Sequence, residues 1–237
     1  MSNKINIGIL FGGRSCEHEV SVTSARSVLQ AIDRDRYEIC LIGIDKQGHW
    51  HTARDIEALT HQGEVAALGG NPSDEVTSNL VALETHHEGN LASRVSQPGN
   101  LPVLDVIFPV LHGTFGEDGT IQGLFEMAGI PYVGCGVAAS AIAMDKALAK
   151  KVFDATGIPQ APAQVVQRHL WNVDADGVLD RAEAEFGLPI FVKPANLGSS
   201  VGVGKAHQRD ELRRCIEDAL QYDNKIIIER SMENCQE

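Results

Sequence analysis

Short apolar runs closed by glycine alternate along the chain with longer stretches in which apolar residues recur every three or four positions. Residues 5–11 form the first run, ended by Gly12-Gly13, and read as a buried strand feeding a turn. Residues 20–32 then place Val20, Ser24, Val28 and Ala31/Ile32 at helical spacing, with Glu17 and Glu19 where the positive end of a helix dipole favours acids. Residues 37–44 form a second strand, and Asp45-Lys-Gln-Gly48 forms a turn leading to His49-Trp50. Between 55 and 101 the pattern is weak and rich in Gly, Ser, Asn, Thr and His, and is read as a surface insertion with short elements around 80–84. A strand over 103–110, a loop to Gly119, a helix over 120–128 and a short strand near Tyr132 follow. After a linker somewhere in 134–160, a helix is expected over 144–156, stopped by Gly157-Ile-Pro159. The pattern then restarts with strand 163–167, helix 176–186, strand 190–192, a glycine-rich turn over 196–204, a further strand, helix 210–222 and strand 225–229. Strand–helix alternation in the first half predicts an α/β parallel sheet, and the second half a smaller α+β unit. Ile226-Ile-Ile228 is a strong buried strand only nine residues from the end, which reads as a fragment or truncated frame.

Composition narrows the function classes. The 237 residues carry 32 acidic against 20 basic side chains, a formal charge of -12, so neither nucleic-acid nor anionic membrane binding is expected. Hydrophobic residues make up 43% and charged residues 22%, which suits a folded domain rather than a disordered chain. No apolar run is long enough to span a bilayer, and the first run lacks the small-residue cleavage site of a signal peptide. The five cysteines are scattered without CxxC spacing, so reduced thiols in a cytoplasmic protein are expected.

Five segments carry candidate chemistry. In Phe191-Val-Lys-Pro-Ala-Asn-Leu-Gly-Ser-Ser-Val-Gly-Val-Gly-Lys205 a strand ends in Lys193 and runs into glycines flanking Ser199 and Ser200, with Val201 and Gly202 closing the turn. Backbone N–H groups, hydroxyls and an ammonium make this a candidate phosphate cradle. An ordinary hairpin explains the spacing equally well, and the segment is not a Walker loop. Gly134-Cys-Gly136-Val-Ala-Ala139 satisfies a dinucleotide fingerprint, but the preceding strand is short and Asp154, twenty residues on, falls inside a helix. At Gly12-Gly-Arg-Ser-Cys-Glu-His-Glu19 two carboxylates would repel phosphate and suit an ammonium group, although helix capping accounts for them too. His112 lies in a loop with Glu117 and Asp118 positioned to orient it, either as a proton-shuttling or as a structural histidine. Lys146 opens a helix where the dipole disfavours a cation, compatible with reaching towards an anion, whereas Lys150 and Lys151 are expected to be solvated.

Together these segments resemble the D-alanine–D-alanine ligase family of the ATP-grasp superfamily along essentially the whole chain. The matching motifs are Gly12-Gly-Arg-Ser-Cys-Glu-His-Glu-Val-Ser21, His112-Gly-Thr-Phe-Gly-Glu-Asp-Gly119, Met144-Asp-Lys146, Val192-Lys-Pro194 with Gly198-Ser-Ser-Val-Gly202, and Ile228-Glu-Arg230. The resemblance implies an N-terminal parallel-sheet, Rossmann-like domain over 1–138, followed over 139–237 by the first α+β lobe of an ATP-grasp fold ending at the adenine hinge. It implies ATP-dependent joining of two D-alanines through D-alanyl phosphate, for peptidoglycan synthesis in the cytoplasm, by a homodimer.

By family match, Glu17 and Ser199 are the catalytic candidates, and Glu17, Val20, His112 and Ser199 hold the first D-alanine. Lys146, Lys193, Ser199, Ser200, Val201 and Gly202 meet the ATP phosphates. Glu229, Arg230 and Met232 form the adenine hinge, and Glu237 meets the ribose. The Mg2+ or Mn2+ ligands of the family belong to a second lobe absent from this chain, so little activity is expected of it, and the inner face of its last sheet is expected to be exposed and aggregation-prone. A D-alanine–D-lactate or D-alanine–D-serine ligase is the alternative within the family. A non-catalytic nucleotide-binding remnant, or an oxidoreductase whose NAD(P)H binding Gly136→Val would abolish, are alternatives of other classes.

Overall fold

The computed structural model describes residues 4–53, 81–85, 91–95 and 104–232, with the backbone alone for 51–53, 81–85 and 91–95. The expectations for the rest of 55–101 and for Glu237 lie outside the described residues. Contacts divide the chain into two units, Met1–Ser140 and Ala141–Glu237.

In the first unit, β1 (Ile5–Gly12) lies between two parallel neighbours, β2 (Tyr37–Ile44) and β6 (Val106–Pro109). Parallel strands need long crossovers, and the 14-residue helix α1 (His18–Ala31) supplies the one between β1 and β2. β3 (Trp50–Ala53) turns back antiparallel on β2 through the turn at Asp45, giving the order β3-β2-β1-β6. β4 (Val81–Thr85) and β5 (Leu91–Val95) pair as a separate antiparallel hairpin. The sheet is buried on both faces, which is why β1 reads as one continuous apolar run. Ile7, Ile9 and Phe11 pack with Val22 and Ala25 of α1, and Leu10 packs with Ile121 and Phe125 of α2 (Thr120–Ala128) on the other side. The strand expected near Tyr132 is a single parallel bridge from Tyr132 to Ile107.

α3 (Val137–Met144) precedes α4 (Lys146–Thr156), which is the helix expected over 144–156, starting two residues later. Asp145 interrupts them: its backbone is extended, and its carboxylate accepts hydrogen bonds from the N–H groups of Ala147 and Leu148, the arrangement of an N-cap. In the second unit β7 (Ala163–Gln167), β10 (Lys225–Arg230), β8 (Ile190–Pro194) and β9 (Gly204–Ala206) form an antiparallel sheet in that order. α6 (Ala175–Phe186) and α7 (Arg209–Tyr222) cover one face, burying Val178, Leu179, Leu212 and Ile216 against Val166, Ile190, Val192, Ile226 and Ile228. A short helix, α5 (Arg168–Val173), escaped the sequence reading and buries Trp171 in this core.

The opposite face of that sheet is less exposed than expected. Ile227 is fully buried, and the ammonium groups of Lys193 and Lys205 lie 5.7 Å and 5.4 Å from the centroid of the Phe191 ring. Lysine stems shield apolar surface while their heads stay wet. Val165, at 38% exposure, is the part of this face that does remain open.

Candidate functional site

Two clusters of polar side chains stand out, one in each unit, both at strand ends. In the first unit, β1 and β6 run parallel, so the turn after Gly12 and the loop after Val110 emerge at the same edge of the sheet, where open α/β sheets bind ligands. Ser21 fixes this junction. Its buried hydroxyl accepts a hydrogen bond from Gly12 N–H (2.7 Å) and donates one to Val110 O (2.6 Å), tying α1 to both strands. A second latch is Ser15, whose hydroxyl donates to His112 O at 2.7 Å.

His112 is held through its ring as well. Nε2 lies 3.0 Å from Ser24 Oγ and Nδ1 lies 3.8 Å from Glu117 Oε1. The Glu117 Oε2 atom accepts from Gly113 N–H at 2.7 Å, so this carboxylate binds the loop backbone while facing the ring. Asp118 does not orient His112: its two oxygens accept from the N–H groups of Phe115 and Thr120, shaping the loop and the start of α2. Ser24 was missed as a partner. It follows Val20 by one helical turn on α1, and that i,i+4 spacing was the available signal. Val20 itself is 53% exposed.

Glu17 occupies the N-cap position of α1, where the helix dipole favours an acid, yet its side chain makes no capping hydrogen bond. Its carboxylate lies against Gly113, whose φ is +69°, and a Cβ at Gly113 would collide with Glu17 Oε2. The turn after β1 and the loop after β6 therefore bring Glu17 and His112 to one place. Beside them is a cavity of about 340 Å³, lined by Trp50, Leu111, His112, Phe115, Ile121 and Leu124 among others. Arg14 also lines it, its guanidinium 5.3 Å from the centroid of the Phe115 ring.

In the second unit, strand register builds the site. Lys193 on β8 sits opposite Ile227 of β10, and Glu229 sits opposite Phe191. Lys193 and Glu229 are thus diagonal neighbours on one face, within reach of long side chains, and Lys193 Nζ lies 2.6 Å from Glu229 Oε2. Lys150 is not solvated as the sequence suggested. It falls one turn after Lys146 on α4, so both lysines share a face, and its ammonium lies 2.8 Å from Glu229 Oε1 with 18% of the side chain exposed. Lys151, on another face, is exposed.

Lys146 donates to Leu197 O in the glycine-rich loop, and its backbone N–H donates to Ala195 O at 2.9 Å. Burial, reinforced by repulsion from Lys193, pushes the Lys146 ammonium below its usual range, against the pull of Asp223, Glu229 and Asp145. Burial would raise the Glu229 carboxyl, but the hydrogen bonds from Lys150 and Lys193 outweigh it and hold the group below its ordinary value. The loop after β8 is anchored by Asp223, which accepts from Asn196 N–H (2.9 Å), Asn196 Nδ2 (2.8 Å) and Lys225 N–H (3.1 Å). Lys225 in turn pairs with Asp145 at the start of α4.

Beyond these anchors the loop turns sharply. Ser199 and Ser200 are exposed and have positive φ values of 47° and 56°, conformations that cost non-glycine residues about 1–3 kcal/mol each and cluster at functional sites. Gly202 has a φ of +68°, and a Cβ there would approach Tyr222 to 2.7 Å and Pro194 to 2.9 Å, so the loop passes too close to α7 and β8 for any side chain. Val201 N–H donates to Gly198 O at 3.2 Å. Of the remaining hinge candidates, Arg230 donates from Nη2 to Glu185 O at 3.1 Å, and Met232 is 57% exposed. Among the described residues no group of three or more His, Cys, Asp or Glu side chains could hold a metal ion. Among them, too, no helix is long and apolar enough to cross a membrane.

A parallel-sheet unit followed by an antiparallel lobe with paired lysines at a strand end and a strained serine–glycine loop is the architecture of the ATP-grasp fold. The family model for the D-ala D-ala ligase N-terminus matches residues 6–135, and that for the D-ala D-ala ligase C-terminus matches 152–237. The chain belongs to the D-alanine–D-alanine ligase family. It is 45% identical over 236 residues to the D-alanine–D-alanine ligase of Acetivibrio thermocellus, covering 97% of this chain and 62% of that protein. The Heliobacterium modesticaldum D-alanine–D-alanine ligase is 45% identical over 232 residues, covering 97% and 60%. Among solved structures, the VanG D-Ala:D-Ser ligase from Enterococcus faecalis superposes with a TM-score of 0.80 at 32% identity, over 98% of this chain and 64% of its own. The D-alanyl-alanine synthetase A of Vibrio cholerae does so with a TM-score of 0.76 at 30% identity, over 98% and 60%. The chain thus spans about 60% of the length of these relatives.

Proposed function

We propose that the chain serves the ATP-dependent ligation of two D-alanines to D-alanyl-D-alanine for peptidoglycan, in the cytoplasm and as a homodimer. The first unit takes the amino acid and the second the nucleotide. The observation that carries this reading is the lysine cluster around Glu229. Three ammonium groups, on Lys146, Lys150 and Lys193, gather around Glu229 at the foot of a strained serine–glycine loop, while the nearby Asp145 and Asp223 are engaged by Lys225 and Asn196. That excess of positive charge, in a chain of net charge -12, is suited to a polyphosphate.

In the proposed reaction the γ-phosphorus of ATP accepts an oxygen of the first D-alanine carboxylate as its bond to the ADP oxygen breaks. The amine of the second D-alanine then attacks the carbonyl carbon of the acyl phosphate, loses a proton, and phosphate leaves. Phosphoryl transfer of this kind depends chiefly on positioning and charge neutralisation. Lys146 and Lys193 neutralise phosphate charge, and the Ser199–Gly202 backbone and the hydroxyls of Ser199 and Ser200 donate to phosphate oxygens. Glu229, Arg230 and Met232 border the adenine, and Glu237 is the candidate for the ribose. Glu17 receives the first D-alanine's ammonium, with Val20 and His112 beside it. Magnesium or manganese, where bound with the nucleotide, offsets further phosphate charge; the described residues contribute lysines to that task.

The test is equilibrium binding of Mg·ATP to the 237-residue chain and to Lys193→Ala, with D-alanine-dependent phosphate release measured in parallel. Binding that weakens in the variant is expected, with little or no release. Absence of binding would overturn the nucleotide site, and vigorous Lys193-dependent release would overturn the expectation of low activity. The similarity to a D-Ala:D-Ser ligase favours one second reading, in which D-serine is the second substrate. Product analysis with D-alanine and D-serine mixed separates the two.

A further inference from the structure

We propose that Lys150 is a positioning residue of the nucleotide site: it holds the Glu229 carboxylate so that Lys193 is free to turn to a nucleotide phosphate. The proposal rests on the reading of Lys193 and Glu229 as nucleotide-binding residues. Its basis is how one carboxylate is divided between two cations. Glu229 Oε1 lies 2.8 Å from Lys150 and Oε2 lies 2.6 Å from Lys193, and only 12% of the glutamate side chain is exposed.

The two lysines are not equivalent. Lys150 is fixed at both ends: its ammonium also donates to Ala161 O at 2.9 Å, and its own carbonyl accepts from Gln160 Nε2 at 2.7 Å. It leaves 18% of its side chain exposed, against 31% for Lys193, which sits at the end of β8 where the serine–glycine loop begins. A single carboxylate cannot neutralise two ammonium groups, so the trio carries a net positive charge. Lys146 adds repulsion to Lys193, while Asp145 and Asp223, which also act on Lys146, have partners of their own in Lys225 and Asn196.

An arriving phosphate therefore competes for Lys193, the more exposed and less anchored cation. If Lys193 left without a substitute, Glu229 would remain as a nearly buried carboxylate with its strongest partner gone, which is costly. Lys150 removes that cost by staying. Without Lys150, Lys193 is needed by Glu229 and is withheld from the nucleotide. The loss falls on ligands with phosphates, because adenosine asks nothing of Lys193.

The experiment measures binding of Mg·ATP, ADP and adenosine to the 237-residue chain and to Lys150→Met, Lys150→Arg, Glu229→Gln and the Lys150→Met/Glu229→Gln double variant. Lys150→Met is expected to weaken ADP and Mg·ATP about tenfold, while adenosine binding changes far less. Lys150→Arg, which keeps the charge, should recover much of the loss. In the Glu229→Gln background, where no carboxylate claims Lys193, Lys150→Met should cost little. An equal loss for adenosine and ADP, or the same loss with and without the Glu229 carboxylate, overturns the proposal and leaves the nucleotide site standing. Failure of the unsubstituted chain to bind Mg·ATP overturns the nucleotide reading itself. Should Lys150→Met fail to fold, Lys150→Arg compared with the double variant supplies the same contrast.

Discussion

At the scale of single residues, the first unit's site depends on atoms that are small or absent. Gly113 leaves room for the Glu17 carboxylate and adopts a φ that costs a side-chain-bearing residue about 1–2 kcal/mol. Gly113→Ala is expected to displace the carboxylate, since the far end of a glutamate moves more readily than the backbone. The fold should lose about 1–2 kcal/mol while the D-alanine binding proposed for this site suffers more, which calorimetric titration beside urea unfolding will show. Ser21→Ala behaves in the opposite way. It strips Gly12 N–H and Val110 O of a buried partner, so a loss of about 1–3 kcal/mol in unfolding free energy is expected. Sequence made Glu17, His112, Lys146 and Lys193 visible as odd charges at strand and helix ends. It left Ser24 and Lys150 obscure because their partners, His112 and Glu229, are distant along the chain and come near only through the sheet.

Elements were more legible than their junctions. β2, β7 and α2 have the bounds that the pattern predicts, and α2 is bracketed by Gly119 and Gly129, both in left-handed backbone. The start of α4 was placed two residues early, at Met144, because apolar Met144 fits a helical pattern and the capping role of Asp145 shows only in its backbone and hydrogen bonds. α5 was missed because six residues are too few to display a period. The pairing across β8, β10 and α4 also makes stability depend on pH. Glu229 titrates below its ordinary value of 4.5 in the folded chain, so its contribution is present above about pH 4.5 and is lost as the pH falls through the lower folded value. Glu229→Gln should flatten the acid side of a urea-midpoint profile taken between about pH 6 and pH 3. Glu19, which is exposed, and Glu211, which is half-buried, also titrate low, and both are unchanged in the variant, so the comparison isolates the pair-held carboxyl.

The whole molecule consists of two units with cores of their own. Ile216→Ala removes a fully buried side chain from the second core, and a loss of about 2–5 kcal/mol is expected there. Amide exchange should speed up in α7 and β10 while the protection of β1 and α1 stays unchanged. The same division places the chain's two tryptophans apart. Trp50 packs at the edge of the first unit's core and lines its cavity, whereas Trp171 is buried in the second core with the Arg213 guanidinium 5.6 Å from its ring centroid. Each unit thus carries one tryptophan. Trp171→Phe leaves an emission signal that reads occupancy of the Trp50 cavity, and Trp50→Phe leaves one that reads melting of the second unit. A protein built this way can be watched half by half, in light, without attaching a label.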